Sequence, residues 1–451
     1  MLLRSRQLSL LIVLGIVTLP AVGLRALCVG DTCGREPERA TSVPFCSLPA
    51  ALRADISAGS YDGRSPDVLA VPEEPIVRGG IDGQRGVAAA WPSVEGTPSL
   101  SVPLLFSGEG VRASAEVPDG TTLASAAPTL AALIGLRWRN PGVHPGTALE
   151  GIGTAQPPRL ALEVAWKGIG AEDLAAHRGA WPFLRSLFAT GAGTTDASAG
   201  SLPLDPAATL TSIGTGGLPS DHGITGLYLR NDATGRIARA WGDGSPLSVI
   251  SALGDDLDEA RGGRPLIGLV GTDPSDRGII GGEWYEGRDD DATAFVEPGA
   301  QVDSVEGLLA DGFGADDETD LLAVVMRDSI SRMDEDLRRI VGAAERATRG
   351  DVAIVVAGTG STANGARDAL PLTRVVGPVE SAIPGDTSAL DAVVAGGVFL
   401  DQGVLAQANL TSNAAVTALR GETAPDGRPL MADAFPSFAI SFGRYCGRVA
   451  T

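Results

Sequence analysis

The sequence predicts an α/β protein with a mostly parallel central sheet flanked by helices. Short, continuously apolar runs that are typical of buried strands alternate along the chain with longer amphipathic segments. Hydrophobic residues make up 44% of the 451 residues, which is enough for a sizeable core, while aromatic residues make up only 4%. We therefore expect strands and helices packed through Ala, Val, Leu and Ile in an α/β sandwich.

The individual strands follow from the apolar runs. They are predicted over residues 67–71, 101–106, 159–166, 265–271, 320–326 and 351–357. Each run is short and bounded by turn residues or charges, as expected for strands buried on both faces.

The helices follow from spacing. They are predicted over residues 48–59, 126–136, 181–189 and 328–349, the second with a cap around Ser125. In the last one, Met333, Leu337 and Ile340 lie on one face. The acidic cluster over residues 255–259 has no calcium-loop pattern, so it is interpreted as a solvated loop.

The N-terminus has the features of a targeting segment. Arg4 and Arg6 precede an apolar run over residues 8–24, and Ala21-Val22-Gly23 is an acceptable small-residue cleavage site. The run has 17 residues, slightly short of the roughly 20 that span a bilayer. Residues 1–24 are therefore predicted to be a signal peptide, with an uncleaved membrane anchor as the alternative. The expected localisation is secreted or extracytoplasmic.

Charge and cysteine content narrow the class of protein further. The net charge is −20 and Lys167 is the only lysine, which argues against binding to a nucleic-acid backbone. Residues 25–47 are predicted to be a linker that carries cysteines. Export would permit disulfides, and the four cysteines, Cys28, Cys33, Cys46 and Cys446, allow three pairings. The Cys28–Cys33 spacing lacks a second cysteine or histidine pair, so no zinc site is predicted there.

The most specific motif lies in residues 209–226. Ser212-Ile213 precede a small-residue turn, Gly214-Thr215-Gly216, which is followed by Pro219 and by His222-Gly223-Ile224. This segment resembles the one after the nucleophile in the phosphodiesterase and nucleotide pyrophosphatase branch of the alkaline phosphatase superfamily. That family splits phosphate esters with two metal ions. The resemblance therefore implies an alkaline-phosphatase-like sandwich and directs attention to the metal site.

Other segments resemble the same family in a different order. Segments 64–68, 102–111 and 127–136 look like the family's late elements, whereas its early elements begin near residue 159. The resemblance implies one circularly permuted domain, with residues 48–155 as the family's C-terminal part and 156–446 as its N-terminal and middle part. It further implies a Cys46–Cys446 disulfide that ties the cut ends and a Cys28–Cys33 loop, although sequence leaves other pairings open.

The family's catalytic positions fall on residues that lack the required chemistry. Lys167 replaces a strand-end aspartate, Pro206 stands at the nucleophile position, and Gly358-Thr359 replace an Asp-His pair. Asp328 is present, but no histidine follows it at the expected spacing. The resemblance thus implies a degenerate site with no metal and no cofactor.

The histidine count supports this interpretation independently. Only His144, His177 and His222 exist in the chain, and each is interpreted as a structural or solvent-exposed residue. Lys167 is predicted to be a fixed cation that either binds an anion or pairs with Asp328. The sequence therefore predicts an exported pseudo-phosphodiesterase that binds an unknown envelope protein or a phosphate-bearing ligand. The alternatives are an active metal-dependent phosphodiesterase or phosphatase with unrecognised ligands, which would use zinc, and a structural envelope domain.

Overall fold

A seven-stranded sheet forms the centre of the protein in a computed structural model. The structure describes residues 44–72, 76–78, 88–90, 100–138, 143–153, 156–282, 284–286, 291–361, 373–385, 387–394, 396–423, 427 and 429–443. The predicted signal segment and the positions of Cys28, Cys33 and Cys446 lie outside these ranges.

The strands and helices alternate along much of the chain. The described strands are β1 (Val68–Pro72), β2 (Ile76–Arg78), β3 (Ala88–Ala90), β4 (Ser101–Gly108), β5 (Leu160–Trp166), β6 (Ala192–Ser198), β7 (Tyr228–Arg230), β8 (Ile237–Arg239), β9 (Ile267–Gly271), β10 (Ala292–Phe295), β11 (Asp320–Met326), β12 (Val352–Gly358), β13 (Leu390–Val394), β14 (Gly397–Leu400) and β15 (Met431–Pro436). The described helices are α1 (Ala50–Ala58), α2 (Ala126–Leu133), α3 (Ala171–Ala176), α4 (Pro182–Thr190), α5 (Pro206–Thr215), α6 (Pro219–His222), α7 (Leu253–Arg261), α8 (Gln301–Ala310), α9 (Ile330–Thr348), α10 (Thr373–Ala382), α11 (Gln402–Gln407), α12 (Asn413–Arg420) and α13 (Ser437–Gly443). Short 3-10 segments lie at Pro44–Ser47, Leu123–Ser125 and Pro274–Ile279.

The central sheet is mostly parallel, as predicted. Its strand order is β10-β9-β11-β5-β12-β4-β6. Strand β5 pairs in parallel with β11 and β12, and β9 pairs in parallel with β10 and β11. Strand β4 is antiparallel to both β12 and β6, so it alone in this sheet runs against the others. The carboxyl ends of β5, β9, β11 and β12 therefore meet at one edge.

Helices cover both faces of the sheet, which explains why its strands are apolar throughout. In β5, Ala161 and Ala165 pack in the core shared with α2, α5 and α7, whereas Leu162 and Val164 pack in the core shared with α8 and α9. Because successive side chains of a strand point to opposite faces, a strand between two helix layers needs apolar residues at nearly every position. The predicted helix–sheet–helix sandwich is thus confirmed.

A second, antiparallel sheet has the order β13-β14-β1-β15 and packs with α10, α11 and α12. Strand β1 belongs to the early part of the chain, and its neighbours β14 and β15 belong to the late part. The first and last described segments also meet, because Phe45 contacts Phe435 with ring centroids 5.3 Å apart. The described residues from Pro44 to Gly443 belong to one compact unit.

Each strand and helix predicted from sequence is present, with small differences at its ends. Ser125 occupies the predicted N-cap position of α2, although its side chain makes no capping hydrogen bond. Two other local interpretations were wrong. Gly214 and Thr215 form the last turn of α5 rather than a separate turn. The helix then ends at Gly216, whose φ of 69° is favoured by glycine.

The acidic cluster over residues 255–259 is helical and largely buried, not a solvated loop. It forms most of α7. Asp255 accepts hydrogen bonds from the backbone N–H groups of Ala252, at 2.8 Å, and Gly282, at 2.7 Å. Burial raises the pKa of Asp255 to about 6, although these hydrogen bonds oppose the shift. The sequence-based interpretation assumed that these carboxylates contact water. In the structure, Asp255 instead accepts hydrogen bonds from backbone N–H groups.

Within the described ranges, the helices are either too short or too polar to cross a membrane. The apolar run over residues 8–24 is not among them, so its role remains a prediction.

Candidate functional site

The carboxyl edge of the central sheet brings together most of the positions singled out from sequence. Lys167 follows β5 directly, and its backbone N–H donates to the carbonyl of Met326 at 2.9 Å. The hydroxyl of Thr359 accepts from the N–H of Gly168 at 2.8 Å, and the N–H of Thr359 donates to Trp166 at 3.2 Å. The ends of β5, β11 and β12 are thus joined by hydrogen bonds around Lys167.

Two glycines allow other segments to approach this edge closely. A Cβ at Gly358 would lie 2.4 Å from the carbonyl oxygen of Ile169, which backbone packing does not permit. Gly360 has a φ of +95°, and a Cβ there would lie 3.0 Å from the Leu204 side chain. Glycine at these positions therefore lets the segment before α5 lie against the end of β12.

Helix α5 begins at this edge. Asp205 is its N-cap and accepts a hydrogen bond from the N–H of Ala207 at 2.9 Å, and Pro206 occupies the first helical position. Proline suits that position because its missing N–H would have no intrahelical partner. The nearby hydroxyls of Thr209 and Thr211 donate to the helix carbonyls of Asp205 and Ala207, both at 2.9 Å. The start of the helix is therefore stably built, but Pro206 provides no hydroxyl.

Lys167 forms a buried ion-pair network with the segment that follows β9. Its Nζ lies 2.5 Å from Oδ1 of Asp276 and 3.0 Å from Oδ2 of Asp273. The side chains of Lys167 and Asp276 are 7% and 0% exposed, so water contributes little to the solvation of either charge. Each charge therefore depends on the other for compensation.

Local hydrogen bonds fix both carboxylates. Oδ2 of Asp276 accepts from the N–H and the hydroxyl of Thr272, each at 2.7 Å. Oδ1 of Asp273 accepts from the N–H of Ser275 at 2.9 Å and also lies 3.1 Å from Arg239. Burial alone would raise the pKa of Asp273, but the charge of Lys167 and the Ser275 hydrogen bonds outweigh burial and lower that pKa to about 2.

Asp205 adds a third carboxyl group near Lys167. Burial raises its pKa, and four influences oppose the shift: hydrogen bonds from the backbone of Leu227, Ala207 and Ala208, and the charge of Lys167. Acidic side chains therefore outnumber Lys167 at this edge, and Arg239 supplies a second positive charge from a partly exposed position.

The structure brings four of the five predicted positions together and separates the fifth. Lys167, Pro206, Gly358 and Thr359 belong to the carboxyl edge just described. Asp328 lies two residues beyond β11, is exposed, and accepts a hydrogen bond from the N–H of Ser329 at 2.6 Å. The predicted pairing of Lys167 with Asp328 is wrong, because Lys167 pairs with Asp273 and Asp276.

Sequence reasoning missed Asp273 and Asp276. A local signal was present, because Asp273, Pro274 and Asp276 directly follow an apolar strand and have the spacing of a capping box. That signal predicts a helical turn at the end of a parallel strand, where site residues often lie. It does not identify Lys167, which is distant in sequence, as the partner.

The three histidines serve other parts of the protein. His222 is buried: its Nδ1 accepts from the N–H of Ile224 at 3.1 Å, so its Nε2 carries the proton and donates to the hydroxyl of Ser212 at 3.0 Å. Burial lowers the pKa of His222 to about 3. The neutral ring thus links the Ser212 hydroxyl in α5 to the backbone of Ile224. The exposed His177 contacts the carbonyl of Asp173 at 3.0 Å.

His144 holds the end of α5. Its Nδ1 lies 2.8 Å from the carbonyl oxygen of Thr215, and its Nε2 lies 3.4 Å from Asp256. The Trp138 ring covers it, with centroids 3.8 Å apart. Across the part of the chain that the structure describes, no group of three or more His, Cys, Asp or Glu side chains is arranged to hold a metal ion.

Comparisons with known proteins give only distant likenesses. No protein family and no curated protein matches the chain. Wild-type alkaline phosphatase PafA is 13% identical, with a TM-score of 0.45 over 63% of this chain and 85% of PafA. Phosphonoacetate hydrolase from Sinorhizobium meliloti 1021, in complex with phosphonoacetate, is 15% identical, with a TM-score of 0.34 over 62% of this chain and 81% of the hydrolase. These values assign no family.

Proposed function

We propose that this chain is a non-catalytic, exported protein with an alkaline-phosphatase-like fold, and that it acts by binding. The contact of Lys167 with Asp273 and Asp276 carries the proposal. A two-metal phosphoesterase holds its cations with oxygen and imidazole ligands at such a strand edge. Here the ammonium group of Lys167 already lies against both carboxylates, so the residues present do not fit a pair of zinc ions.

The nucleophile position supports the same proposal. Covalent phosphoester hydrolysis needs a hydroxyl or another nucleophile that a base or a metal can activate. Pro206 has none, and the hydroxyls of Thr209 and Thr211 donate to carbonyls of their own helix. Turning either threonine toward the edge would break a buried hydrogen bond.

Of the two binding modes expected from sequence, the geometry favours a protein partner over an anion at Lys167. Two carboxylates lie within 3.0 Å of its Nζ, so an incoming phosphate would meet their negative charge as well as the ammonium group. We propose that the partner belongs to the cell envelope, because residues 1–24 have the features of an export signal.

Circular permutation and the disulfide that follows from it are part of the proposal. The contact between Phe45 and Phe435 supports them, since it joins segments adjacent to Cys46 and to the C-terminal end of the chain. Peptide mapping of the non-reduced mature protein is expected to recover a Cys46–Cys446 peptide. A Cys33–Cys446 peptide would contradict the proposed pairing.

The catalytic part of the proposal is tested by a turnover assay. The purified mature protein is incubated with a generic phosphodiester and with added Zn²⁺ or Mn²⁺, and hydrolysis no faster than in the protein-free control is expected. Hydrolysis that is proportional to protein and abolished by a chelator would establish the active-enzyme alternative. If hydrolysis is absent and affinity capture from envelope extracts also returns no partner, a purely structural role is favoured.

A further inference from the structure

A recess of about 400 Å³ lies near the β6 edge of the central sheet, between α3, α4 and β6. Its apolar wall is formed by Ala171, Leu174 and Ala175, and its remaining wall includes Trp181. Arg178 and Arg185 also line it. We refer to these six residues as the arginine recess.

The local sequence explains how the recess is built. Ala171, Leu174 and Ala175 recur at the spacing that places residues on one face of a helix. The indole N–H of Trp181 donates to the carbonyl of Leu174 at 2.9 Å, which fixes the ring beside α3. The guanidinium carbon of Arg185 lies 4.5 Å from the centroid of the Trp181 ring, a cation–π contact that orients both side chains.

Arg178 and Arg185 are exposed side chains that lie next to each other without acidic partners in the described ranges. Among the described residues, no carboxylate lies within 4.0 Å of Arg178 or Arg185. Arg185 donates to the carbonyl of Arg178, which places its guanidinium beside the Arg178 backbone and leaves other N–H donors free of that bond. In a chain with a net charge of −20, two neighbouring guanidinium groups without counter-charges form a local site of positive potential.

We propose that the arginine recess binds a small organic anion with an apolar body, such as an aromatic or alkyl carboxylate, sulfonate or phosphate. The volume falls within the range of small-molecule sites, and such sites combine apolar walls with a few placed polar groups. The guanidinium forks of Arg178 and Arg185 bind the anionic head, and the body contacts Leu174 and Trp181. Because these residues lie outside the Lys167 network, this inference does not depend on the absence of catalysis.

The test uses 8-anilinonaphthalene-1-sulfonate, a fluorescent aromatic sulfonate, titrated into the intact mature protein. We expect one saturable site, with energy transfer from tryptophan that decreases in Trp181→Phe. Arg178→Ala and Arg185→Ala are each expected to weaken binding about tenfold or more, because each removes a charge-assisted hydrogen bond. The affinity is also expected to fall as salt increases.

Control variants separate a specific site from non-specific adsorption. Arg338→Ala removes an exposed arginine of α9 and should leave the affinity unchanged. Arg178→Lys keeps the charge and should bind more tightly than Arg178→Ala. Since Arg185 also contacts Trp181, its variants are compared with the wild type by thermal melting, and the Arg178 pair decides the outcome if Arg185→Ala is unfolded. Absence of saturable binding, or equal affinity in wild type and Arg178→Ala, would overturn the proposal.

Discussion

Glu163 lies within β5 and Lys167 follows the end of the same strand, four residues later. Both side chains are buried, but only Lys167 has partners of opposite charge among the residues that the structure describes. Lys167 contacts two carboxylates at the sheet edge. Glu163 is 1% exposed, and neither of its oxygens has a hydrogen-bond partner among the described residues. Burial raises the pKa of Glu163 to about 8, so its carboxyl group is mostly neutral near pH 7.

The difference shows what the sheet edge requires. In the interior, Glu163 faces the same side as Ala323 and Val355, its neighbours in register, and burial suppresses its charge. At the edge, Asp273 and Asp276 compensate the ammonium group of Lys167. A buried charge persists only where counter-charges are fixed around it. The Lys167 network is therefore an ionic cluster whose cation is a side chain of the protein itself.

The largest expected effect comes from Lys167→Met. It leaves Asp276 and Asp273 without the ammonium group, and the free energy of unfolding should fall by about 3 to 5 kcal/mol at pH 7. The folded pKa of Asp273, about 2, lies below its unfolded value of about 3.8, so the stability that this carboxylate contributes is present above pH 3.8 and is lost as pH falls toward 2. Urea unfolding measures both effects.

Arg239→Met is the matched control for that variant. Arg239 contacts the same Asp273 from a side chain that is 42% exposed, so its removal should cost only about 0 to 1 kcal/mol. Equal losses in the two variants would contradict a special role for the buried pair.

Glu163→Gln tests the other half of the comparison. In the wild type, the pKa of Glu163 is about 8 in the folded state and about 4.5 when unfolded, so the folded state binds more protons between these values. Its contribution to stability is full below pH 4.5 and is lost as pH rises to 8. Glu163→Gln should abolish this loss and be about 1 to 3 kcal/mol more stable than the wild type at pH 8.

Unfolding at pH 5 and pH 8 provides the measurement for Glu163, with the exposed Glu172→Gln as the control. Glu172→Gln should keep the wild-type dependence on pH. If Glu163→Gln keeps it too, the carboxyl group is ionised or has a partner, and the comparison with Lys167 fails.

Ser212→Ala is expected to have an effect of similar size but opposite sign, a loss of about 1 to 3 kcal/mol, because it leaves the buried Nε2–H of His222 without an acceptor. The folded pKa of His222, about 3, is below its unfolded value of about 6.5. Its contribution to stability is therefore present above pH 6.5 and is lost as pH falls toward 3. Thermal melting at pH 7 measures the substitution, and exposed Ser186→Ala should change little. An unchanged melting temperature in Ser212→Ala would show that the hydrogen bond between His222 and Ser212 does not stabilise the fold.

Pro206→Ser should have the smallest effect. Loss of the proline ring makes the unfolded chain more flexible and should cost about 0.4 to 1 kcal/mol. The variant restores a hydroxyl but no activating group, so phosphodiester turnover is expected to stay at the background level. Hydrolysis by this variant would show that the edge still holds a working cation site.

The sequence predicted the strands and helices of the protein better than the contacts between their side chains. Apolar runs located β5, β11 and β12, because burial between two helix layers leaves a direct mark on composition. The end of the strand predicted over residues 159–166 also placed Lys167 at the sheet edge. Its pairing with Asp276, 109 residues later, depends on which strands are neighbours, and no local pattern encodes that.

The same limit applies to residues 255–259. Their acidic composition predicts contact with water, yet Asp255 caps backbone N–H groups and belongs to a buried helix. Composition records the charge of a side chain but does not reveal which donor it meets in the fold. The strands and helices of the site could therefore be predicted from sequence, whereas the hydrogen-bond and ion-pair partners of its side chains could be identified only in the structure.

Whether the Lys167 edge can still bind metal is measured by the metal content of the purified mature protein after dialysis against Zn²⁺ and Mn²⁺ and removal of free metal. Because the ammonium group of Lys167 already contacts Asp273 and Asp276, we predict well below one equivalent of bound metal per chain. Two tightly bound equivalents would contradict the proposed non-catalytic role, since metal ions would then bind despite the contact of Lys167 with Asp273 and Asp276.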